Sequence, residues 1–189
     1  MRVISGEQKG LYLKAVPGQS TRPTTDKVKE SIFNMIGPYF VGGNVLDLYG
    51  GSGSLAIEAL SRGMNEAVIV DRDKKAIETI HANLKACKLT EKAKVFRNEA
   101  VRALKALKKK ETQFHLIFLD PPYLKQRLAD ELAFLEENNL VVQNGTVVVE
   151  HSFEVKLQDT YGALEKLREE RYGDTVISIF QKRENVKEV

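Results

Sequence analysis

The chain has 189 residues, of which 42% are hydrophobic and 29% are charged, and its formal net charge is +3. This length allows one domain with a full core and leaves no room for a second large substrate domain. A single cysteine excludes an intrachain disulfide framework, and no apolar run is long enough to cross a membrane, so we expect a cytoplasmic protein without a membrane partner.

The N-terminal part of the chain predicts a small β-hairpin followed by a helix. Two β-like segments, residues 2–4 and 11–14, are separated by turns that contain glycine. After a loop, the threonine pair at 24–25 can cap a helix that has a regular apolar face. We therefore expect a single domain, in which a hairpin-and-loop extension (1–21) precedes a helix and a Rossmann-like core (22–189).

Strand-like and helical segments alternate from residue 44 onward. The predicted strands are residues 45–48, 67–70, 94–96, 114–119 and 146–149. The segments between them have helical periodicity, and the chain ends in two strand-like segments that turn at Gly173 and Asp174. This alternation predicts a doubly wound α/β fold with a mostly parallel sheet and an antiparallel edge.

The fourth of these strands, residues 114–119, ends at an unusual turn. Its residues are nearly all apolar, and Asp120, Pro121, Pro122 and Tyr123 follow directly. Two prolines cannot continue a sheet ladder, so this turn is stiff and extended before any ligand binds. Because ligands bind outside the carboxyl ends of strands in open α/β sheets, the turn is a candidate functional site.

A glycine-rich turn between the first strand and the next helix predicts a second site. Gly51, Gly53 and Ala56 have the spacing of a dinucleotide fingerprint, and Asp71 lies at the end of the second strand. The glycines let the backbone approach a ligand closely, and Asp71 would accept hydrogen bonds from ribose hydroxyls. This motif alone fits both NAD and S-adenosylmethionine, and the alternative is a tight turn without a ligand.

Asp47 favours S-adenosylmethionine over NAD. Its carboxylate precedes the glycines, where it would oppose a pyrophosphate but attract the cationic amino-acid end of S-adenosylmethionine. There is also no second domain to hold a hydride acceptor. Tyr49, in the same turn, is included in the predicted donor site.

Four more residues are candidate donor contacts, each with a structural alternative. Glu99 could accept from an adenine amino group and the Ala100 N–H could reach a ring nitrogen, or Glu99 could simply favour the dipole of the following helix. Thr24 and Asp26 could contact the methionine end of the donor, or serve in capping the first helix.

The turn at Asp120 has the groups that methylation of an exocyclic base amine requires. Such an amine is a poor nucleophile because its lone pair is conjugated with the ring. The Asp120 carboxylate and the Pro121 carbonyl can accept its two hydrogens and stabilise the positive charge that develops on nitrogen. Tyr123 can stack on the base, which must be unpaired or flipped out of its helix.

The basic residues near the N-terminus are candidate RNA phosphate contacts, with ordinary solvated charges as the alternative. They are Arg2, Lys9, Lys14, Arg22, Lys27 and Lys29.

We expect no metal site, because the three histidines and Cys87 lack the spacing of metal ligands. We also expect His115 to be a packed core residue.

Four stretches of the chain resemble the bacterial family of small-subunit rRNA guanine-N2 methyltransferases of the RsmD type, and the resemblance extends from end to end. They are residues 1–6, 22–34, 46–63 and 120–123. The resemblance implies a seven-stranded class I methyltransferase sheet, S-adenosylmethionine as donor and S-adenosylhomocysteine as product. It also implies guanine-966 of 16S rRNA as the target, either as RNA or in a small-subunit assembly intermediate. We expect the protein to be a monomer.

Two rival functions remain open at this point. DNA adenine-N6 methyltransferases share the turn that starts at Asp120, but they lack the N-terminal hairpin and the Arg22-Pro23-Thr24 stretch. A non-catalytic RNA-binding module with a vestigial donor pocket is the second rival.

The chain departs from the family at two positions: Glu99 stands where Asp or Asn is frequent, and Asp71 stands where Glu is common.

Overall fold

The computed structural model describes residues 1–18, 24–122 and 127–184. The helices are α1 (Asp26–Ile36), α2 (Ser54–Ser61), α3 (Lys74–Ala86), α4 (Ala100–Lys109) and α5 (Leu128–Glu137). The strands are β1 (Asn44–Asp47), β2 (Glu66–Asp71), β3 (Ala93–Arg97), β4 (Phe114–Leu119), β5 (Val141–Ser152), β6 (Thr160–Tyr161), β7 (Leu164–Tyr172) and β8 (Thr175–Lys182). None of the helices in these three ranges combines the length and apolar character needed to span a bilayer.

The elements form a mixed α/β fold. Its sheet is mostly parallel and has antiparallel edge strands, which confirms the predicted fold class. Within the described ranges the sheet has eight strands, where seven were expected. The additional strand is β6, whose two residues pair with Leu164 and Glu165 at the start of β7. Two residues are too few to produce a recognisable alternation of polar and apolar side chains.

The chain contacts divide the protein into two compact units, Met1–Ala103 and a second that begins at Leu104. In the first unit β1 pairs with β2 and β2 pairs with β3, all in parallel. Val45 and Leu46 in β1 and Ile69 in β2 are fully buried, whereas β3 is largely exposed. The glycine-rich turn follows β1, so it lies at the carboxyl end of these strands.

The N-terminal hairpin predicted from the sequence forms through one antiparallel bridge between Arg2 and Tyr12. Hydrogen bonds between the hairpin backbone and the side chains of Glu58 and Asn83 anchor it to the rest of the first unit. The N–H groups of Ile4 and Ser5 donate to the Glu58 carboxylate at distances of 3.0 and 3.1 Å. The Asn83 side chain accepts from the Lys14 N–H at 2.8 Å and donates to the Lys14 carbonyl at 3.0 Å.

In the second unit β4 is parallel to β5, and the strand order is β4, β5, β8, β7, β6. Gly173, with a φ of 62°, forms the turn between β7 and β8 together with Asp174, as expected. One prediction for β4 is wrong, because His115 is exposed and does not belong to the core. The β4–β5 register shifts between Phe114 and Leu116, so His115 lies at an irregularity and not in the regular, buried part of the strand.

A buried ionic cluster joins α1 to α2. Glu58 accepts from the Arg62 Nε at 2.9 Å, and the Lys29 Nζ lies 3.5 Å from the same carboxylate. Lys29 also donates to the Arg2 carbonyl at 2.6 Å and to the Ser54 hydroxyl at 3.0 Å. The prediction that Lys29 contacts RNA is therefore wrong, because its ammonium group is fully buried and paired within the protein.

We expect the substitution Glu58→Gln to lower the free energy of unfolding by about 3 kcal/mol or more, because it leaves Lys29 and Arg62 buried without their counter-charge. Urea unfolding followed by circular dichroism measures the change. The matched control is Glu78→Gln, which removes an exposed pair with Lys74 and should cost less than about 1 kcal/mol. Similar losses in the two variants would contradict a special role for the buried cluster.

Candidate functional site

The glycine-rich turn after β1 is held against β2 by backbone hydrogen bonds. The Gly50 N–H donates to the Val70 carbonyl at 2.7 Å, and the Gly53 N–H donates to the Gly50 carbonyl at 2.8 Å. A Cβ on Gly50 would lie 2.5 Å from the Ile69 side chain, so no larger residue fits without a shift. Gly53 is the N-cap of α2 and has a φ of 82°, a conformation that glycine adopts without strain.

Asp47 lies at the base of this turn and is only 1% exposed. The backbone N–H groups of Tyr49 and Ala56 donate to its carboxylate, but the Oδ1 atom has no hydrogen-bond partner among the described residues. Burial, reinforced by the nearby negative charge of Asp71, raises the pKa of Asp47 to about 7. An acceptor buried without a donor is costly, so this oxygen fits a ligand that supplies an N–H group.

This observation tests the fit of the two donors that the sequence left open. The amino-acid end of S-adenosylmethionine has an ammonium group, which can donate to the Asp47 Oδ1. A pyrophosphate has only acceptor oxygens and negative charge, so it would be repelled by a carboxylate. The residues present therefore fit S-adenosylmethionine and disfavour a dinucleotide.

Asp71 braces the same turn, a role that sequence reasoning missed. Its Oδ2 accepts from the Gly51 N–H at 2.9 Å, and its Oδ1 accepts from the Asp73 N–H at 2.9 Å. Asp73 in turn caps α3 by accepting from the Lys75 N–H. Each carboxylate oxygen of Asp71 has a second lone pair, so a ribose contact remains compatible with this bracing and stays a prediction.

The other predicted donor contacts lie at helix N-termini. Glu99 is exposed, and its carbonyl accepts the Ala103 N–H at 2.9 Å at the start of α4, next to the half-buried Ala100. Of the two candidate caps of α1, Thr25 is the N-cap, with the Val28 N–H 3.2 Å from its hydroxyl. The donor contacts of Glu99, Ala100, Thr24 and Asp26 stay predictions.

The turn after β4 belongs to the second unit. Asp120 is half-buried, Pro121 is buried and Pro122 is exposed. Leu119, the residue before Asp120, pairs with Val149 of the parallel strand β5, so Asp120 lies at the carboxyl edge of these strands, where the sequence had put it. Tyr123 lies outside the described residues.

Most of the basic residues proposed to bind RNA are on the surface of the first unit. Lys9, Lys14 and Lys27 are exposed, and the side chain of Arg2 is 60% exposed. Arg2 lies 3.8 Å from the Asp26 carboxylate, a weak surface pair. Arg22 lies outside the described residues.

Within the parts of the chain that are described, His, Cys, Asp and Glu side chains form no group able to hold a metal, and the expectation of no metal stays a prediction.

Comparisons with known proteins point to a single family. The model of a family described as Conserved hypothetical protein 95 matches residues 1–181. The chain is 57% identical to the Putative rRNA methyltransferase YlbH of Bacillus subtilis, over 97% of this chain and 100% of that protein. It is 30% identical to Ribosomal RNA small subunit methyltransferase D of Escherichia coli, over 96% of this chain and 90% of that protein.

Solved structures have the same fold. The structure of the Putative methyltransferase yhhF from Escherichia coli superposes with a TM-score of 0.82 at 30% identity, covering 97% of this chain and 98% of that one. The RNA methyltransferase from Salinibacter ruber in complex with S-Adenosyl-L-homocysteine has a TM-score of 0.61 at 14% identity, covering 89% and 98% of the two chains. At that identity the second likeness shows the fold alone.

Proposed function

We propose, since the chain belongs to the Conserved hypothetical protein 95 (RsmD) family, that it transfers a methyl group from S-adenosylmethionine to the N2 amine of a guanine in 16S rRNA. The relatives named as rRNA methyltransferases support an rRNA substrate. The observation that carries the donor assignment is the buried Oδ1 of Asp47, which has no hydrogen-bond partner in the described parts of the chain. The choice of guanine-966 rests on the family resemblance.

The first unit holds the donor in this proposal. S-adenosylmethionine, when bound, supplies a methyl group on a cationic sulfur. Asp47 accepts from the donor's ammonium group, and the backbone at Gly51 and Gly53 allows its close approach. Contacts with the rest of the donor come from Tyr49, Asp71, Glu99, Ala100, Thr24 and Asp26.

The turn after β4 holds the acceptor amine. The Asp120 carboxylate and the Pro121 carbonyl accept its two hydrogens, which orients the nitrogen lone pair and stabilises the positive charge that forms as the methyl group is transferred. Pro122 stiffens the turn, and Tyr123 stacks on the flipped base. The surplus proton then leaves the nitrogen for water, so no strong general base is needed.

Exposed cations of the first unit supply phosphate contacts. Arg2, Lys9, Lys14 and Lys27 serve this purpose, together with Arg22. The hairpin that carries three of them is fixed to α2 and α3 by Glu58 and Asn83, so the backbone from which these side chains extend is ordered before RNA binds. Preorganised charges lose less conformational entropy on binding.

Mass spectrometry of 16S rRNA from a strain that lacks the gene tests the proposal. We expect one N2-methylguanosine, at position 966, to be absent, and to return when the wild-type gene but not an Asp120→Ala gene is supplied. Retention of that methylguanosine would contradict the proposal. Transfer of tritiated methyl groups to duplex DNA in place of small subunits would identify the protein as an adenine methyltransferase, and RNA binding without transfer to any RNA would identify a binding module.

A further inference from the structure

A pocket of about 260 Å³ in the second unit has no part in the functions described so far. It lies where β5 ends and is lined by Phe153, Lys156, Lys166, Glu169, Arg171 and His151, among others. Its volume is just below the roughly 300–1,000 Å³ of typical small-molecule pockets, so it suits a single small group better than a large cofactor.

Strand register explains why these side chains share one face. His151 of β5 pairs with Val176 of β8, and Val176 pairs with Arg171 of β7, so the three side chains point to the same side of the sheet. Glu169, two residues before Arg171, faces the same way. The β7–β8 register shifts between Lys166 and Arg168, and the shift brings Lys166 onto this face as well.

The pocket combines available positive charge with an aromatic surface. Lys166 is neutralised within the protein, because its Nζ lies 3.4 Å from Asp159 and 3.1 Å from Glu169. Arg171 and Lys156 are exposed. The Arg171 guanidinium lies 4.4 Å from the centre of the Phe153 ring, and only its Nε is used within the described structure, in a 2.7 Å bond to the Gly173 carbonyl.

The pocket lies on the same sheet edge as Asp120. Leu119, which precedes Asp120, pairs with Val149, and His151 lies two residues farther along β5. Arg171 is on β7, three strands from β4 in the sheet. With strands about 4.8 Å apart, that lateral distance is roughly 14 Å, which a chain of a few nucleotides spans.

We propose that this pocket binds a nucleotide that flanks the methylated base in the RNA substrate, an inference that rests on the proposed function. The Arg171 guanidinium and the Lys156 ammonium contact its phosphate, and the Phe153 ring and the stacked guanidinium contact its base. Cations beside an aromatic ring are the combination that single-stranded nucleic acids bind, by charge and by stacking. The pocket would thus hold the RNA while the target base occupies the site at Asp120.

The test compares a Phe153→Leu/Arg171→Met double variant with the control Arg168→Met. Arg168 is on the same strand and exposed, but three residues from Arg171 and so on the opposite face. Affinity for a fluorescent 16S rRNA fragment is measured with S-adenosylhomocysteine present, and kcat and KM are measured by tritiated methyl transfer. We expect the double variant to bind RNA about tenfold more weakly, with KM raised to match and kcat within twofold of wild type.

Each outcome supports or overturns the proposal that the pocket binds a nucleotide of the RNA. A salt dependence of RNA affinity reduced by about one unit of slope in the double variant, but not in Arg168→Met, would support a phosphate contact. RNA affinity within twofold of wild type in the double variant would overturn the inference, as would an equal loss in the control or a parallel loss of S-adenosylmethionine affinity. Because RNA binding needs no turnover, a wild-type protein that binds RNA through the pocket but leaves guanine unmethylated would refute the proposed function alone.

Discussion

Asp120→Ala should slow methyl transfer by at least about a thousandfold while leaving the affinity for S-adenosylmethionine within about twofold of wild type. The Asp120 carboxylate is proposed to hold one hydrogen of the acceptor amine and to balance the positive charge that develops on its nitrogen, so its effect is realised in the transition state. Donor binding is assigned to the first unit and needs no group from Asp120. Single-turnover methylation of small subunits and calorimetric titration with the donor measure the two quantities separately.

One further variant separates the charge of Asp120 from its capacity to accept, and a second serves as a control. Asp120→Asn retains one acceptor oxygen but loses the negative charge, so we expect a rate between those of wild type and Asp120→Ala. Asp130→Ala removes an exposed carboxylate at the start of α5 in the same unit, and should leave the rate within twofold of wild type. An active Asp120→Ala enzyme, or an Asp120→Ala enzyme that fails to bind the donor, would refute this assignment.

The fold class was predicted correctly because strong local signals agree with the final structure. The glycine turn, the buried β4 and the turn at Gly173 are each specified by a few neighbouring residues, and all three are present. The short strand β6 was missed because it exists only through its pairing with β7, and a local sequence pattern does not identify that partner. His115 was assigned to the core because a continuous apolar strand was assumed to be regular, and its ladder is not.

The site was predicted less completely, because buried polar groups depend on residues far apart in the sequence. Lys29 was treated as a surface charge, although it lies three, four and seven residues before Ile32, Phe33 and Ile36, in the apolar stripe of α1. That spacing was the available signal for burial. Its partner Glu58 is 29 residues away, and no local pattern joins the two.

Asp47 shows the same limit in a candidate functional residue. The sequence predicts a carboxylate beside the glycine turn, and its charge favours a cationic ligand. Only the packing around β1 reveals that the carboxylate is buried, that two backbone N–H groups donate to it, and that one oxygen lacks a donor among the residues that the structure describes. A raised pKa follows from that burial, and we expect it to make the proposed donor binding depend on pH.

Asp47→Asn should weaken S-adenosylmethionine binding about a hundredfold at pH 8, because it replaces an ion pair in a buried site with a neutral contact.

The same substitution should raise the stability of the unliganded protein. The pKa of Asp47 is raised from 3.8 to about 7 on folding, so the folded state binds more protons between those values and its stability falls as pH rises through this window. Asp47→Asn removes this loss, and its urea midpoint at pH 8 should exceed that of wild type.

The same pKa fixes the pH dependence of donor binding. Well above pH 7 the Asp47 carboxylate is already charged, near pH 7 it is about half protonated, and below pH 7 most of it must lose a proton before it can pair with the ammonium group. Donor affinity should therefore fall by up to about tenfold per pH unit below 7, and calorimetry in buffers of different ionisation enthalpy should detect one released proton. Asp47→Asn should be flat over this range. The control Asp73→Asn, which keeps a capping side chain for α3, should follow wild type. A wild-type affinity that does not change between pH 5.5 and 8 would show that another group binds the ammonium end.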